Sequence, residues 1–198
     1  MTGPLQGQRV LVVGRGSGIA RAVALAARDA GAKVIAAGRD KDTLTAAYAG
    51  EPAISTETVD LTDEASIAAL GERLGPLDHV VSTGSARARG RVPDLDRDAI
   101  RLSFDTKVIG PLMLAKHLAP RMSTSGSFVI FSGVAAAKIA VGTLGEQGKA
   151  DYFADISARN PARRIGTPDD IAQAVIFALT STFLTGQTLH IDGGEPLT

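Results

Sequence analysis

The chain has 198 residues, enough for one good-sized hydrophobic core and for at most two domains. Apolar residues make up 44% and charged residues 21%, which excludes a disordered chain, and the 21 basic and 21 acidic side chains cancel, which argues against nucleic acid as a partner. There are no cysteines and only three scattered histidines, so disulfides, thiolate catalysis and the usual metal-ligand spacings are excluded.

The N-terminal segment MTGPLQGQRV lacks the long apolar core of a signal peptide. No apolar run further along the chain approaches the length that spans a membrane. We therefore expect residues 1–198 to form a single cytoplasmic domain that does not associate with membranes.

Short apolar segments recur along the chain, and their apolar residues are continuous rather than alternating. This pattern is typical of strands that are buried on both faces of a parallel sheet. The four clearest segments are RVLVVG (9–14), KVIAAG (33–38), HVVSTG (79–84) and SFVIFSG (127–133). Weaker strands are predicted at 55–60 and 188–192, nearer the edges of the sheet.

Helical patterns separate these strands. An apolar stripe of Ile19, Val23, Ala26, Ala27 and Ala30 predicts a first helix that stops at Gly31. Thr62 is the expected cap of a later helix, a long helix is expected over 105–122, and Thr167–Asp170 opens one that runs to about Thr180. The alternation predicts an α/β fold, a Rossmann-like doubly wound parallel β-sheet flanked by helices in three α/β/α layers. Phe153, Phe177 and Phe183 could line a pocket, but they are expected in its core.

Three glycines, Gly14, Gly16 and Gly18, lie between the first strand and the first helix. Such a turn lets the backbone approach a pyrophosphate, which the amide groups at the helix N-terminus then bind. The spacing is G-x-x-x-G-x-A, which differs from the commonest dinucleotide fingerprint, and a glycine turn can also be no more than a tight turn. Its position directly after a buried strand at the start of the chain favours a dinucleotide site.

The end of the second strand indicates which dinucleotide the site would bind. Gly38 stands where an acidic residue would hold a free ribose 2′-hydroxyl, and Arg39 follows it. A cation there suits a 2′-phosphate, on which Arg15 could also close. The alternative is that both arginines are simply solvated, and the nearby Asp40 weakens the case for a phosphate. We predict NADP(H) in preference to NAD(H).

With these features in view, the chain resembles the short-chain dehydrogenase/reductase family over nearly its whole length. GRGSGIA is similar to the family's T-G-x-x-x-G-x-G, VDLTD to its Asp-Leu after the third strand, and STGS (82–85) stands where the family has N-N-A-G. RIGTPDDIAQAVIFAL and FLTGQTLHIDGG resemble the C-terminal helix and last strand. The cofactor contacts expected from the glycine turn and from this resemblance are Gly14, Arg15, Ser17, Gly18, Ile19, Arg39, Asp60, Leu61, Ser82, Gly84 and Lys107. Without the resemblance, Asp60 could equally well only help the next helix to begin.

The catalytic residues of the family, Asn, Ser, Tyr and Lys, are not intact. Lys107 stands at the position of the Asn and Gly133 at that of the acting Ser, with Ser132 one residue earlier. The resemblance leaves Lys107 and Ser132 as the candidate catalytic residues, and Lys107 also as a contact to the nicotinamide ribose. The family's Tyr-x-x-x-Lys is absent. Tyr48 is expected to be a packing residue, and Tyr152 with Lys149 is more simply part of a mixed surface helix than a reversed catalytic pair.

The segment AVGT (140–143) runs directly into LGEQ (144–147), where the family has a helix that carries Tyr and Lys and then a strand. Such a unit with its connections needs roughly 30 residues. Three explanations stay open: the sequence omits part of a longer chain, the unit has been deleted between Thr143 and Leu144, or KIAV (138–141) supplies a makeshift strand.

The resemblance implies an NADP(H)-dependent oxidoreductase that acts on a small carbonyl or alcohol. It also implies a homodimer or homotetramer, formed in the family through the helix at 105–122 and the missing helix. The alternative is a catalytically impaired NADP-binding sensor or scaffold.

Overall fold

A computed structural model describes residues 3–88, 90–132 and 145–194. Within these residues five strands form one parallel sheet in the order β3-β2-β1-β4-β5. The strands are β1 Arg9–Val13, β2 Lys33–Gly38, β3 Ile54–Thr58, β4 Leu77–Ser82 and β5 Met122–Ile130. The chain proceeds from β1 to one side of the sheet and then crosses to the other, so the crevice that binds ligands in open α/β sheets lies at the carboxyl ends of β1 and β4.

The described residues form seven α-helices between and after these strands. They are α1 Gly18–Asp29, α2 Lys41–Ala47, α3 Glu64–Leu74, α4 Arg97–Phe104, α5 Gly110–Leu118, α6 Glu146–Arg159 and α7 Pro168–Thr180. A π-helical turn, Asp105–Ile109, joins α4 to α5, and 3₁₀ turns lie at Val92–Asp94 and Ala119–Arg121. None of these helices is long and apolar enough to cross a membrane.

The two faces of the sheet carry separate apolar clusters, which confirms the three-layer prediction. Along β1, Val10 and Val12 belong to the cluster that includes buried residues of α1 and α7. Leu11 and Val13 belong to the other cluster, with buried residues of α3 and α5. Successive strand residues point to opposite faces, so a strand covered on both sides must be apolar throughout.

Several predicted helix boundaries are wrong. The helical segment predicted at 105–122 begins at Arg97, because the Asp96 side chain accepts a hydrogen bond from the Ala99 amide and caps α4. It ends before Met122, where β5 starts. The cap of α3 is Asp63 rather than Thr62, whose amide and hydroxyl both donate to Asp60.

The first helix keeps its predicted stop at Gly31, whose φ of 94° is the left-handed conformation that glycine favours. Its buried stripe agrees with the prediction at Val23, Ala27 and Ala30 and also includes Ala20 and Ala24. Ile19 is exposed beside the glycine turn instead.

The C-terminal part departs most from the prediction. Helix α7 begins and ends as predicted, but residues 188–192 are not a strand. A strand depends on backbone hydrogen bonds to a neighbour, and the described pairs of β5 are with β4. Phe153, Phe177 and Phe183 are exposed rather than in the core. Phe177 lies on the exposed side of α7, because that helix buries Ala172, Val175 and Leu179 instead. KIAV (138–141), Thr143 and Leu144 lie outside the described residues.

Candidate cofactor site and active site

The glycine turn after β1 is held tightly against its neighbours. The Gly14 amide donates to the Ala37 carbonyl at 2.8 Å. A Cβ atom on Gly14 would lie 2.2 Å from Thr83 Oγ1 and 2.7 Å from Ala20 Cβ, so only glycine fits there. The first turn residue is thereby fixed between the ends of β1 and β4 and the start of α1.

The other two glycines shape a cradle. Gly16 has a φ of 66°, and a Cβ atom there would lie 3.0 Å from Leu44 Cδ2, so the turn packs on α2. Gly18 has a φ of 55° and open space beside it. Ser17 is the N-cap of α1 but makes no capping hydrogen bond with its side chain. The amide groups of the first turn of α1 therefore face an open, electropositive position that fits the pyrophosphate of a dinucleotide.

Two arginines near this cradle are exposed: Arg15 lies within the turn, and Arg39 directly follows β2. Asp40, the acid that follows Arg39, is used as the N-cap of α2. Its carboxylate accepts from the Thr43 amide at 2.9 Å and from the Thr43 hydroxyl at 2.6 Å, and these bonds lower its pKa. Asp40 is thus occupied by local structure, and within the described residues Arg39 forms no salt bridge, although its positive charge acts on the Asp60 carboxylate.

Asp60 and Leu61 follow β3 at the same edge of the sheet. Hydrogen bonds from the amide and hydroxyl of Thr62, at 2.9 Å and 2.7 Å, together with the charge of Arg39, lower the pKa of the Asp60 carboxyl. Leu61 is buried and lies against Gly84, because a Cβ atom on Gly84 would be 2.3 Å from Leu61 Cδ1. The two residues and Gly84 form one wall beside the glycine turn.

The end of β4 connects this wall to β1 and β5. Ser82 is only 3% exposed, and its carbonyl accepts from the Phe131 amide at 3.1 Å. The next residue, Thr83, directs both its amide and its hydroxyl to the Val13 carbonyl, each at 2.9 Å. The sequence analysis missed Thr83, although its place between Ser82 and Gly84 and next to a glycine turn was a usable signal.

Lys107 and Ser132 come together at the end of β5. Lys107 lies in the π-helical turn, a feature often found at functional sites, and its Nζ donates to the Phe131 carbonyl at 3.1 Å. Burial lowers the pKa of Lys107, and the positive charge of Arg87 lowers it further. Ser132 is exposed and directly follows Phe131, whereas Gly133 lies outside the described residues. Arg87 was also missed, although it begins the basic run Arg87, Arg89 and Arg91.

The two tyrosines lie away from this group. Tyr48 ends α2 and is buried behind the glycine turn, as expected of a packing residue. Tyr152 lies in α6, where its ring centroid is 6.0 Å from that of Phe153. Lys149 donates to Glu146 at 2.8 Å within the same helix.

This geometry agrees with the comparisons to known proteins. A family model described as "Enoyl-(Acyl carrier protein) reductase" matches residues 13–144 and 140–195. The chain belongs to the short-chain dehydrogenase/reductase family. Among curated members it is 32% identical over 241 residues to a 2-keto-3-deoxy-L-fuconate dehydrogenase of Xanthomonas campestris pv. campestris, covering 96% of this chain and 80% of that protein. It is 28% identical over 236 residues to a D-erythrulose reductase of Gallus gallus, covering 96% of each.

Solved structures of the family superpose closely. A short-chain type dehydrogenase/reductase from Mycobacterium ulcerans matches with a TM-score of 0.82 and 28% identity, over 97% of this chain and 90% of that one. The ligand-free aldohexose dehydrogenase of Thermoplasma acidophilum has a TM-score of 0.83 at 20% identity, over 100% and 97%, a likeness of fold alone.

The alignment with the X. campestris dehydrogenase is longer than the chain itself. It runs over 241 positions, and the chain has 198 residues, so at least 43 positions, 241 minus 198, hold no residue of this chain. The two matches to the family model meet and overlap at residues 140–144.

Proposed function

We propose that the protein is an NADP(H)-dependent oxidoreductase that acts on a small carbonyl or alcohol. The observation that carries this proposal is the open position at Gly18, bordered by the uncapped first turn of α1 and by the glycine turn. The named relatives are dehydrogenases and reductases, and their named substrates include both an acid and a sugar, so the names do not single out a substrate charge. NADPH should bind and be oxidised in the presence of a carbonyl substrate.

Arg39 and Arg15 support NADP(H) over NAD(H), because a guanidinium binds a 2′-phosphate through charge-assisted hydrogen bonds. We expect Arg39→Gln to weaken NADPH binding about tenfold or more and NADH binding less than about twofold, measured by nucleotide fluorescence. Lys33→Gln is the matched control, since Lys33 is an exposed cation at the opposite end of the same strand. The assignment to NADP(H) would be contradicted if Arg39→Gln weakened the binding of both nucleotides equally, or if the wild type bound NADH more tightly than NADPH.

Among the described residues, Lys107 is the group best placed to supply a proton. The bound cofactor supplies or accepts a hydride at the substrate carbon. On reduction the substrate oxygen must also gain a proton, and an ammonium group whose pKa lies below its ordinary value of 10.5 is a better donor. Ser132, exposed beside it, is placed to orient that oxygen.

Removal of the Lys107 ammonium should therefore slow the chemical step strongly and have little effect on the affinity for NADPH. We expect Lys107→Met to lower kcat for carbonyl reduction by about 100-fold or more while the Kd for NADPH changes little. In the wild type, activity should fall as the pH rises through the pKa of Lys107, and this limb should be absent from any residual activity of Lys107→Met. A variant with wild-type kcat and the same pH profile would remove Lys107 from the mechanism.

The absent helix and strand are best placed between Thr143 and Leu144. Two observations support this position. The alignment with the X. campestris dehydrogenase has positions that hold no residue of this chain, and the two family matches meet at residues 140–144. The intact mass of the protein isolated from its natural host distinguishes the explanations. A mass above the 20.4 kDa of this sequence would mean that the natural chain retains the unit, and a mass of 20.4 kDa would mean a true deletion.

A second function, a dinucleotide-binding sensor or scaffold, is favoured by one specific observation. The whole sequence contains no Tyr-x-x-x-Lys, and of its two tyrosines Tyr48 is buried behind the glycine turn. Tight NADPH binding without oxidation of NADPH by a broad panel of aldehydes, ketones and oxo acids would support this function over the first.

A further inference from the structure

The loop that carries Arg87 is anchored to the helical segment that carries Lys107. The loop follows β4, and the Ser103 hydroxyl of α4 donates to the Ala86 carbonyl at 2.9 Å. Ser103 and Lys107 are four residues apart along the same helical segment and so lie on a similar side of it. The charge of Arg87 accordingly acts on Lys107, whose Nζ is held at the Phe131 carbonyl.

Neither cation has an acidic partner within residues 3–88, 90–132 and 145–194, where the ion pairs involve other side chains. Lys107 donates to a neutral carbonyl, and Arg87 is exposed. Two positive charges held close together repel each other, so an anion that binds both relieves an unfavourable arrangement. A guanidinium is well suited to a carboxylate, which accepts two parallel hydrogen bonds from it.

We propose that Arg87 binds a carboxylate of the substrate next to Lys107, so that the substrate is a small oxo or hydroxy acid. This rests on the proposed function and narrows it to one substrate class. In the reduction, the carbonyl carbon gains a hydride with its electron pair from NADPH, which becomes NADP⁺. The carbonyl oxygen gains a proton from Lys107, and the carboxylate is unchanged. Arg87 sets specificity and takes no part in the transfer itself.

The test compares 2-oxobutanoate with its uncharged methyl ester as oxidants of NADPH. The wild type should have a kcat/KM about tenfold or more higher for the acid. The kcat/KM of Arg87→Met should be about tenfold or more lower than that of the wild type for the acid and less than about twofold lower for the ester. The Kd for NADPH should not change. Arg91→Met is the control, because Arg91 is an exposed arginine further along the same loop.

Three outcomes would overturn the proposal. The first is that the wild type reduces acid and ester equally well, and the second is that Arg91→Met loses as much kcat/KM for the acid as Arg87→Met does. In the third, Arg87→Met weakens NADPH binding and leaves the preference for the acid unchanged, which would assign Arg87 to a cofactor phosphate.

A lack of turnover with both compounds would count against the proposed function, and the anion site is then tested by binding. Calorimetry should show that oxamate binds the NADPH-loaded wild type and binds Arg87→Met about tenfold more weakly or not at all. If the NADPH-loaded wild type takes up no oxamate, or both proteins bind it equally, the carboxylate site is disproved.

Discussion

His79 shows how one buried polar side chain can complete an irregular part of the sheet. The pairing of β4 with β5 shifts register between Leu77 and His79. At the shift, the Ser127 amide donates to His79 Nδ1 at 3.1 Å, and Nε2 contacts Gln8 Oε1 at 2.7 Å. Because Nδ1 accepts, the proton of the neutral ring is on Nε2, which donates to Gln8. The ring replaces a backbone partner that the irregular ladder lacks.

This arrangement predicts that the protein loses stability in mild acid. Burial lowers the pKa of His79 below 6.5, although the charge of the neighbouring Asp78 opposes the shift. As the pH falls below 6.5, the unfolded chain binds a proton that the folded chain excludes, so the free energy of unfolding falls by up to about 1.4 kcal/mol per pH unit. Urea titrations of the wild type between pH 8 and 5 measure this slope.

His79→Gln should be less stable at pH 8, because a Gln side chain does not reproduce both hydrogen bonds, and should show a shallower slope. His190→Gln is the control, since His190 is exposed and should keep the wild-type slope. A slope that is the same in His79→Gln as in the wild type would show that other groups cause the acid sensitivity.

Helix ends in this protein depend on side-chain caps that the sequence partly reveals. Asp40, Asp63, Asp96 and Thr167 each accept a hydrogen bond from an amide of the helix that follows. The motif Thr-Pro-Asp-Asp at 167–170 was recognised from the sequence because cap, proline and acids stand together there. The sequence did not identify Asp63 as a cap, because the neighbouring Thr62 is an equally good capping residue by type.

The cap of α7 should contribute measurably to stability. Thr167 Oγ1 accepts from the Asp170 amide while the Asp170 carboxylate accepts from the Thr167 amide, and Arg164 pairs with that carboxylate. Thr167→Ala removes half of this capping box and should lower the free energy of unfolding by about 1 kcal/mol in urea titrations. Thr180→Ala at the other end of α7 should change it by less than about 0.5 kcal/mol, since Thr180 only bonds back to carbonyls of its own helix. Equal effects of the two variants would contradict the role of the cap.

An exposed apolar surface follows one long helical segment. Phe104, Val108, Ile109 and Leu112 of α4, the π-helical turn and α5 are each 47% exposed or more. Their spacing of four, five and eight residues places them on one side of the segment. An apolar stripe of this kind on a folded protein is typical of an interface.

We predict that this stripe joins two copies of the chain. Leu112→Glu should shift the protein toward a monomer in size-exclusion chromatography with light scattering, without loss of helical signal in circular dichroism, because Leu112 is already exposed in one copy. Phe183→Ser provides the control, since Phe183 is 99% exposed in the C-terminal part. A protein that dissociates on Phe183→Ser and not on Leu112→Glu would associate through its C-terminal surface instead.

The amino-acid sequence by itself determined the alternation of strands and helices, the buried parallel sheet and the glycine turn of the candidate cofactor site. These features follow from residues close together in the chain: a run of apolar residues, a helical stripe, or glycines that allow a conformation other residues avoid. The positions of Gly14, Gly18 and Arg39 could therefore be interpreted before any contact was known.

Only the tertiary structure decided which distant residues meet. It placed Lys107 at the Phe131 carbonyl and Arg87 beside it, bound Thr83 to Val13, and engaged Asp40 as a helix cap. It also left residues 188–192 without a strand and Phe177 exposed. The local pattern of TLHID is that of a strand and the pattern around Phe177 is that of a buried helix, but pairing and burial need a partner, and a partner is a property of the folded chain.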